Sequence, residues 1–437
     1  MSVQELATWQ SGPDSDTFPY DGVLNEYLRV GKHFVAKELL DALARVRSAL
    51  PGARGSAPSV RLLDQFLDAA LDKWDGRYDY VTYLALGLLP LPAADDPSQD
   101  TAPAQWQSDR LVVQLVSDAL RFELAAADGC TELLPQIRPD SRTTSKRCRL
   151  GLQAVGPALR RLGLDKGLAA TDPVAEARQV CVDVDADLSS AERRTLQLSM
   201  LPVYTVHDEW MFIRVLQSFE TTFALLAVHL RAAMTALAAG APGLAQRRIR
   251  EAEAALREAT PLLSLLATMQ VDAFRTFRIY TEGASAIQSR NYKIVESLCR
   301  TPDRSRLDSI AYHSVPEVQE WVLAGQATLD GAFESACAAG RLTSAERDDL
   351  DQAMRQFAAT LLQWRQIHYR LAVRMLGQRT GTGYTEGTPY LEAVRTIPVF
   401  RSIDAVEGAG TQHLPNEEAA AHTLSRSADP SDDHDAI

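Results

Sequence analysis

Apolar residues recur at i, i+3, i+4 and i+7 along almost the whole chain, and clean two-residue alternation is nearly missing. That period predicts an all-α fold, with helices over about 22–49, 59–74, 77–89, 108–126, 146–162, 173–183, 190–200, 207–238, 244–280, 285–299, 315–338 and 344–376. Several ends carry their own signals. Thr343-Ser344-Ala345-Glu346 has the form of a capping box opening the last long helix, and Gly377 stands where a C′ glycine would close it. Gly240 and Pro242 close the helix that starts near His207.

The pattern predicts a helical N-terminal region over 1–200, a bundle of very long helices over 201–401, and a disordered acidic tail over 402–437. Linkers are expected at Ala93–Gln105 and Pro139–Lys146. Helices about 50 Å long, as 344–376 would be, leave room between them for a bulky planar cofactor.

Charge and composition narrow the partners. A formal net charge of -12 with no basic stripe argues against nucleic acid and anionic membranes, and points to small molecules. Five scattered cysteines without a C-x-x-C pair argue against a zinc site or a disulfide framework and fit a reducing, cytoplasmic location. The first ten residues lack the basic start and apolar core of a signal peptide. The most apolar run, Tyr80–Ala94, is broken by Pro90 and Pro92, so no membrane span is expected.

On the last long helix, Leu361, Trp364, His368, Leu371 and Met375 form one apolar stripe with an imidazole in its middle. Such a histidine is either a core residue satisfied by a neighbour or an axial ligand, since neutral imidazole on a rigid helix in an apolar pocket is what haem iron uses. A glycine-rich, hydroxyl-bearing segment, Gly381-Thr382-Gly383, follows.

Three blocks then carry a resemblance to the tryptophan 2,3-dioxygenase superfamily. The first matches W-R-x-x-H followed by R-M-[IL]-G-x-K-x-G-T-G-G-[ST]-x-G-x-x-Y-L, through Trp364, Arg365, His368, Arg374, Met375, Leu376, Gly377, Gly381, Thr382, Gly383, Gly387, Tyr390 and Leu391. The second matches H-D-E-x-x-F-I-x-x-H-Q-x-x-E-L-W-F through His207, Asp208, Glu209, Phe212, Ile213, Gln217, Glu220 and Phe223, with Leu216 at the place of the distal histidine. The third resembles F-R-x-Y-L-S-P-A-S-G-F-Q-S through Phe277, Arg278, Tyr280, Ala284, Ser285, Gln288 and Ser289. Together they run from Tyr204 to Phe400, and a weaker echo at Glu26–Val30 is similar to the start of the family's first helix. On that alignment residues 35–200 are an insertion of unassigned role.

The resemblance implies haem b with dioxygen as co-substrate, and an aromatic amino acid as substrate. It implies His368 as proximal iron ligand, Arg278 as carboxylate clamp, Thr382 near the ammonium or carboxylate, and Phe212 and Leu216 as walls of the substrate pocket. Arg275 competes for the clamp, but only Arg278 stands ten residues ahead of Gln288. No general acid is assigned, because the distal position is Leu216. The expected reaction is insertion of dioxygen into the indole C2–C3 bond of L-tryptophan or a derivative, giving an N-formylkynurenine-type product of the kynurenine pathway. Leu216 removes a polar partner for the indole N–H, and Tyr384, Glu386, Gly283 and Ala286 depart from the family pattern. These departures keep two alternatives open: a monooxygenase or ring-rearranging enzyme on a modified aromatic amino acid, and a haem- or ligand-binding protein without turnover. Family members are tetramers in which an N-terminal segment reaches a neighbour's site; the resemblance implies a homo-oligomer or a long extension that fills this role within one chain.

Overall fold

The computed structural model describes residues 3–10, 14–50, 57–165, 172–377 and 387–403. The fold is all-α, and among the described residues the extended pairing is limited to an isolated bridge between Gln136 and Val206. The expected acidic tail falls outside the described residues from 404 onward, as do Gly381, Thr382, Gly383, Tyr384 and Glu386.

The N-terminal part holds α1 (Val3–Gln10), α2 (Tyr20–Val30), α3 (Lys37–Ala49), α4 (Pro58–Ala70) and the single turn α5 (Tyr80–Tyr83). It is followed by α6 (Thr101–Ala127), α7 (Ser141–Leu162), α8 (Pro173–Asp187) and α9 (Ser190–Leu198). Then come α10 (Asp208–Ala238), α11 (Pro242–Leu266), α12 (Val271–Thr281) and α13 (Arg290–Cys299). Short helices α14 (Arg304–Leu307), α15 (Ile310–His313), α16 (Pro316–Leu323) and α17 (Leu329–Ala338) lead to α18 (Ser344–Leu376) and α19 (Thr388–Arg395).

α10 is predominantly apolar and is buried on nearly every face, its polar residues Arg214, Gln217 and Glu220 included. It packs against α6, α11, α13 and α17, while α11 carries α18 on its other side. By length and composition α10 is the one helix among the described residues that could cross a bilayer, yet it is buried inside the fold. Several of its polar groups are hydrogen-bonded there. Arg214 donates to Asp118 at 2.7 Å, Ser199 at 2.9 Å and the Leu196 carbonyl at 2.7 Å, and Gln217 donates to the Leu84 carbonyl at 2.8 Å. The large core joins α6, α7 and α8 to α10, α11 and α18, whereas a second core joins α2 to α5 with the start of α10.

Several expected helices are broken, one of them where another backbone passes closely. The continuous 22–49 helix stops at Gly31 (φ 83), where a Cβ would meet the Val203 carbonyl oxygen at 2.6 Å. There Lys32 N donates to the Pro202 carbonyl at 2.8 Å. The 315–338 helix is split by Gly325 (φ 86) into α16 and α17, and 244–280 separates into α11 and α12. The linker expected at 139–146 is instead helical from Ser141, because Asp140 caps it by accepting from Thr143 N at 2.8 Å. The capping box at Thr343 and Glu346 and the positive φ of 65° at Gly377 appear as read from the sequence.

Lys32 and Asp72 form a fully buried ion pair at 2.9 Å, with Lys32 also donating to the carbonyls of Ala69 and Thr82. This knot fixes the segment that leads into α5. Asp72→Ala should lower stability by about 3–5 kcal/mol in urea unfolding, since the ammonium is left buried and unpaired. Lys32→Met combined with Asp72→Leu should recover most of that loss, and no recovery would show that the pair also holds local geometry.

Candidate functional site

One cavity lies between α10, α12, α13, α18 and α19, with a wall contributed by α5. The space open to the centre of a water molecule is about 240 Å³, far more than a structural water needs. Phe212, Leu216, Phe219 and Phe223 line it from α10 at helical spacing, and Trp364, His368, Leu371 and Met375 line it from α18. The two stripes meet at Trp364, whose ring is 5.7 Å from Phe219 and 5.3 Å from Phe223.

His368 is enclosed by protein, and its ring keeps partial solvent access only because it borders the cavity. The Trp364 ring stacks on it at 5.2 Å and 25°. Burial lowers the imidazole pKa from 6.5 to about 4, so the ring is neutral at ordinary pH. Trp364 Nε1 is buried beside it without a partner among the described residues. A neutral imidazole free to offer a nitrogen lone pair, set in aromatic walls, fits an axial ligand of a planar metal cofactor. No group of three His, Cys, Asp or Glu side chains capable of holding a bare metal ion occurs among the described residues.

Of the residues singled out in the sequence, Phe212, Leu216, Arg278 and His368 border this one cavity. Thr382 lies outside the described residues. Phe212 packs against Phe277 at 5.2 Å and Phe274 at 5.9 Å, and the Arg278 guanidinium sits 6.0 Å from the Phe274 ring. Arg275 points elsewhere, its Nε donating to the Met375 carbonyl at 3.4 Å, which ties α12 to the end of α18.

Sequence reasoning gave no part to Tyr80 and Tyr83, which line the cavity from the N-terminal region. Their seat is built by the third motif block. Gln288 accepts from Tyr80 N at 3.0 Å, and a Cβ at Gly283 would meet the Tyr78 carbonyl oxygen at 2.8 Å. Tyr83 hydroxyl donates to Glu209 at 3.3 Å, and Glu209 also accepts from Val203 N at 2.7 Å and Tyr204 N at 3.1 Å. Glycine at 283 where a side chain would clash was the available signal, legible only with Tyr78 in view. Arg365, inside the first motif, was also given no role. It donates to Tyr292 hydroxyl and to the Ile397 carbonyl, each at 2.7 Å, and so anchors the segment after α19.

Burial dominates the titration of Glu209 and raises its pKa from 4.5 to about 8. A carboxyl raised by folding adds stability that is complete below pH 4.5 and is lost as pH climbs through about 8. Unfolding free energy should therefore fall across that window, and Glu209→Gln should flatten the fall. Identical slopes for the two proteins in denaturant titrations would show that the carboxyl ionises freely in the fold.

No protein-family model matches the chain. Curated proteins do. Tryptophan 2,3-dioxygenase of Anaeromyxobacter sp. (strain K) is 25% identical over 239 residues, 46% of this chain and 88% of its own length. The tryptophan 2,3-dioxygenase of Bradyrhizobium sp. (strain ORS 278) is 26% identical over 234 residues, 46% of this chain and 83% of its own. That of Xanthomonas oryzae pv. oryzae (strain PXO99A) is 24% identical over 258 residues, covering 49% and 84%. Over about half its length the chain is thus distantly similar to tryptophan 2,3-dioxygenases.

Proposed function

We propose that this protein is a haem-dependent oxygenase of an aromatic amino acid, related in chemistry to tryptophan 2,3-dioxygenase. The observation that carries the reading is the neutral imidazole of His368 on the wall of an aromatic cavity that Arg278 also borders. In the parent reaction dioxygen is inserted into the indole C2–C3 bond and an N-formylkynurenine-type product results. Haem, when bound, supplies the iron at which dioxygen is held and activated.

The chain's own residues do the positioning. His368 would ligate the iron, its orientation fixed by the stacked Trp364 ring. Arg278 would grip the substrate carboxylate, for which a planar guanidinium offers two parallel hydrogen bonds. Phe212, braced by Phe274 and Phe277, would hold the substrate ring, with Thr382 near the amino-acid end. Tyr80 and Tyr83 extend the wall from within the same chain.

Leu216 supports a second reading at the level of substrate. An apolar residue there cannot pair an indole N–H, and a buried donor left unpaired costs about 1–3 kcal/mol. An aromatic amino acid whose ring nitrogen is substituted or absent would avoid that cost, in a monooxygenation or rearrangement as well as in ring cleavage.

Reconstitution with haem should give a histidine-ligated Soret band that His368→Ala loses. A variant with full haem content and an unchanged band would remove the ligand assignment. In the holoprotein, Arg278→Ala should weaken binding of L-tryptophan or a ring-modified analogue by roughly 10–100-fold, the equivalent of about 1.5–3 kcal/mol for a charged hydrogen-bonded contact. Binding of the matching decarboxylated amine should hardly change. Equal losses for acid and amine would mean that Arg278 shapes the pocket without gripping the carboxylate. A haem protein that binds these ligands without consuming oxygen would be a sensor.

A further inference from the structure

Arg278, Lys293, Arg306, Arg365 and Arg395 border the cavity, and among the described residues no Asp or Glu does. Their positive charges are not equally compensated. Arg306 is neutralised by Glu296, which accepts from it through both oxygens at 2.7 and 2.9 Å. Arg395 donates to Glu392 at 3.2 Å. Lys293 is compensated only at long range. It is 2% exposed; of the two carboxylates whose charge acts on it, Glu296 and Glu220, the first stands 4.0 Å from Nζ with both oxygens already engaged by Arg306. Glu220 holds Asn291 at 3.1 Å instead. The rings of Tyr292 and Tyr312 lie 5.0 and 5.9 Å from Nζ, and no hydrogen bond reaches it among the described residues.

Burying an ammonium without an acceptor costs several kcal/mol, so such a group is retained where something supplies the missing charge. Burial, followed by the repulsion of Arg306, lowers its pKa from 10.5 to about 7, which leaves it only about half protonated near pH 7 until an anion arrives. The cavity is the direction from which an anion can come.

We propose that Lys293 pairs with a carboxylate of the molecule that occupies the cavity, a contact separate from the Arg278 clamp. The inference rests on the haem-oxygenase reading, which offers two sources of that carboxylate: a propionate arm of haem, or the amino-acid substrate. Either contact places an acidic ligand group beside α13 and gives the region around Tyr292 a part in ligand recognition.

The test compares wild type, Lys293→Met and Lys293→Arg, using Soret titrations with haem and with haem dimethyl ester, and then L-tryptophan and tryptamine on the holoproteins. Pairing with a propionate predicts about tenfold weaker haem retention in Lys293→Met, unchanged retention of the diester, and rescue by Lys293→Arg. Pairing with substrate predicts equal retention of both porphyrins and a selective loss of L-tryptophan binding relative to tryptamine. Four unchanged affinities together with a raised unfolding midpoint in Lys293→Met would overturn the proposal, leaving Lys293 as a buried cation without a ligand. Failure of the wild type to take up either porphyrin would overturn the haem reading and this contact with it. A Soret band that depends on His368, with neither porphyrin retention nor L-tryptophan binding depending on Lys293, overturns this contact alone.

Discussion

The enclosure of α10, a mostly apolar helix whose few charged residues are also buried, is the constraint on which the rest of the molecule depends. One side is covered by α6, another by α11, and the remainder by α13 and α17. Its first turns are covered by the N-terminal helices, which is why two hydrophobic cores share it. What remains is the stripe from Phe212 to Phe223, which borders the cavity. The site is thus the part of α10 that the protein's own helices leave for another molecule to cover.

The same constraint gives the N-terminal region its place. Residues 35–200 are not an appendage to a separate site, for α5 supplies two tyrosines to the cavity wall. Three contacts hold it there: the buried Lys32–Asp72 pair below it, the Gln288 side chain on Tyr80 N, and the close passage of Tyr78 over Gly283. Glycine at 283 departs from the family's turn, and the structure shows a physical use for the departure. A side chain there would push the Tyr78 backbone away and α5 with it.

Where periodicity and local signals agreed, the sequence was readable. α18 has an apolar stripe, a capping box at one end and a positive-φ glycine at the other, and each appears as expected. The stripe residues Trp364, His368, Leu371 and Met375 all border the cavity. Reading failed where tertiary contact decides. Nothing local in 22–49 announces that Gly31 must pass the Val203 carbonyl, so one helix was expected where the chain breaks into α2 and α3. Tyr80 and Tyr83 were given no part in the site, because their partners Gln288 and Glu209 are more than a hundred residues away. Lys293 escaped notice for the same reason: a lysine on a helix is normally solvated, and only the packed structure shows its burial.

Polar chemistry in this cavity is sparse and of one sign. Aromatic and aliphatic walls exclude water, and in such surroundings each uncompensated charge acts with more force than it would at a surface. Five basic side chains on the wall, with no Asp or Glu among the described lining residues, favour an anionic ligand before any detail of its ring is considered, although Arg306 and Arg395 have acidic partners behind the wall. The α10 stripe adds the opposite demand, since Phe212 and Leu216 offer a ring contact area but no hydrogen bond. Affinity should then come from carboxylates at the basic positions, while ring identity is judged by shape. A polar atom on the ring is penalised unless the Tyr80 hydroxyl turns from Glu220, or the Tyr83 hydroxyl from Glu209, to meet it. Exchanging Leu216 for a residue with a hydrogen-bonding group would remove part of that penalty without touching the anionic contacts. On the proposed reading, substrate choice and carboxylate grip are therefore separable in this site, the first set by α10 and the second by α12 and α13.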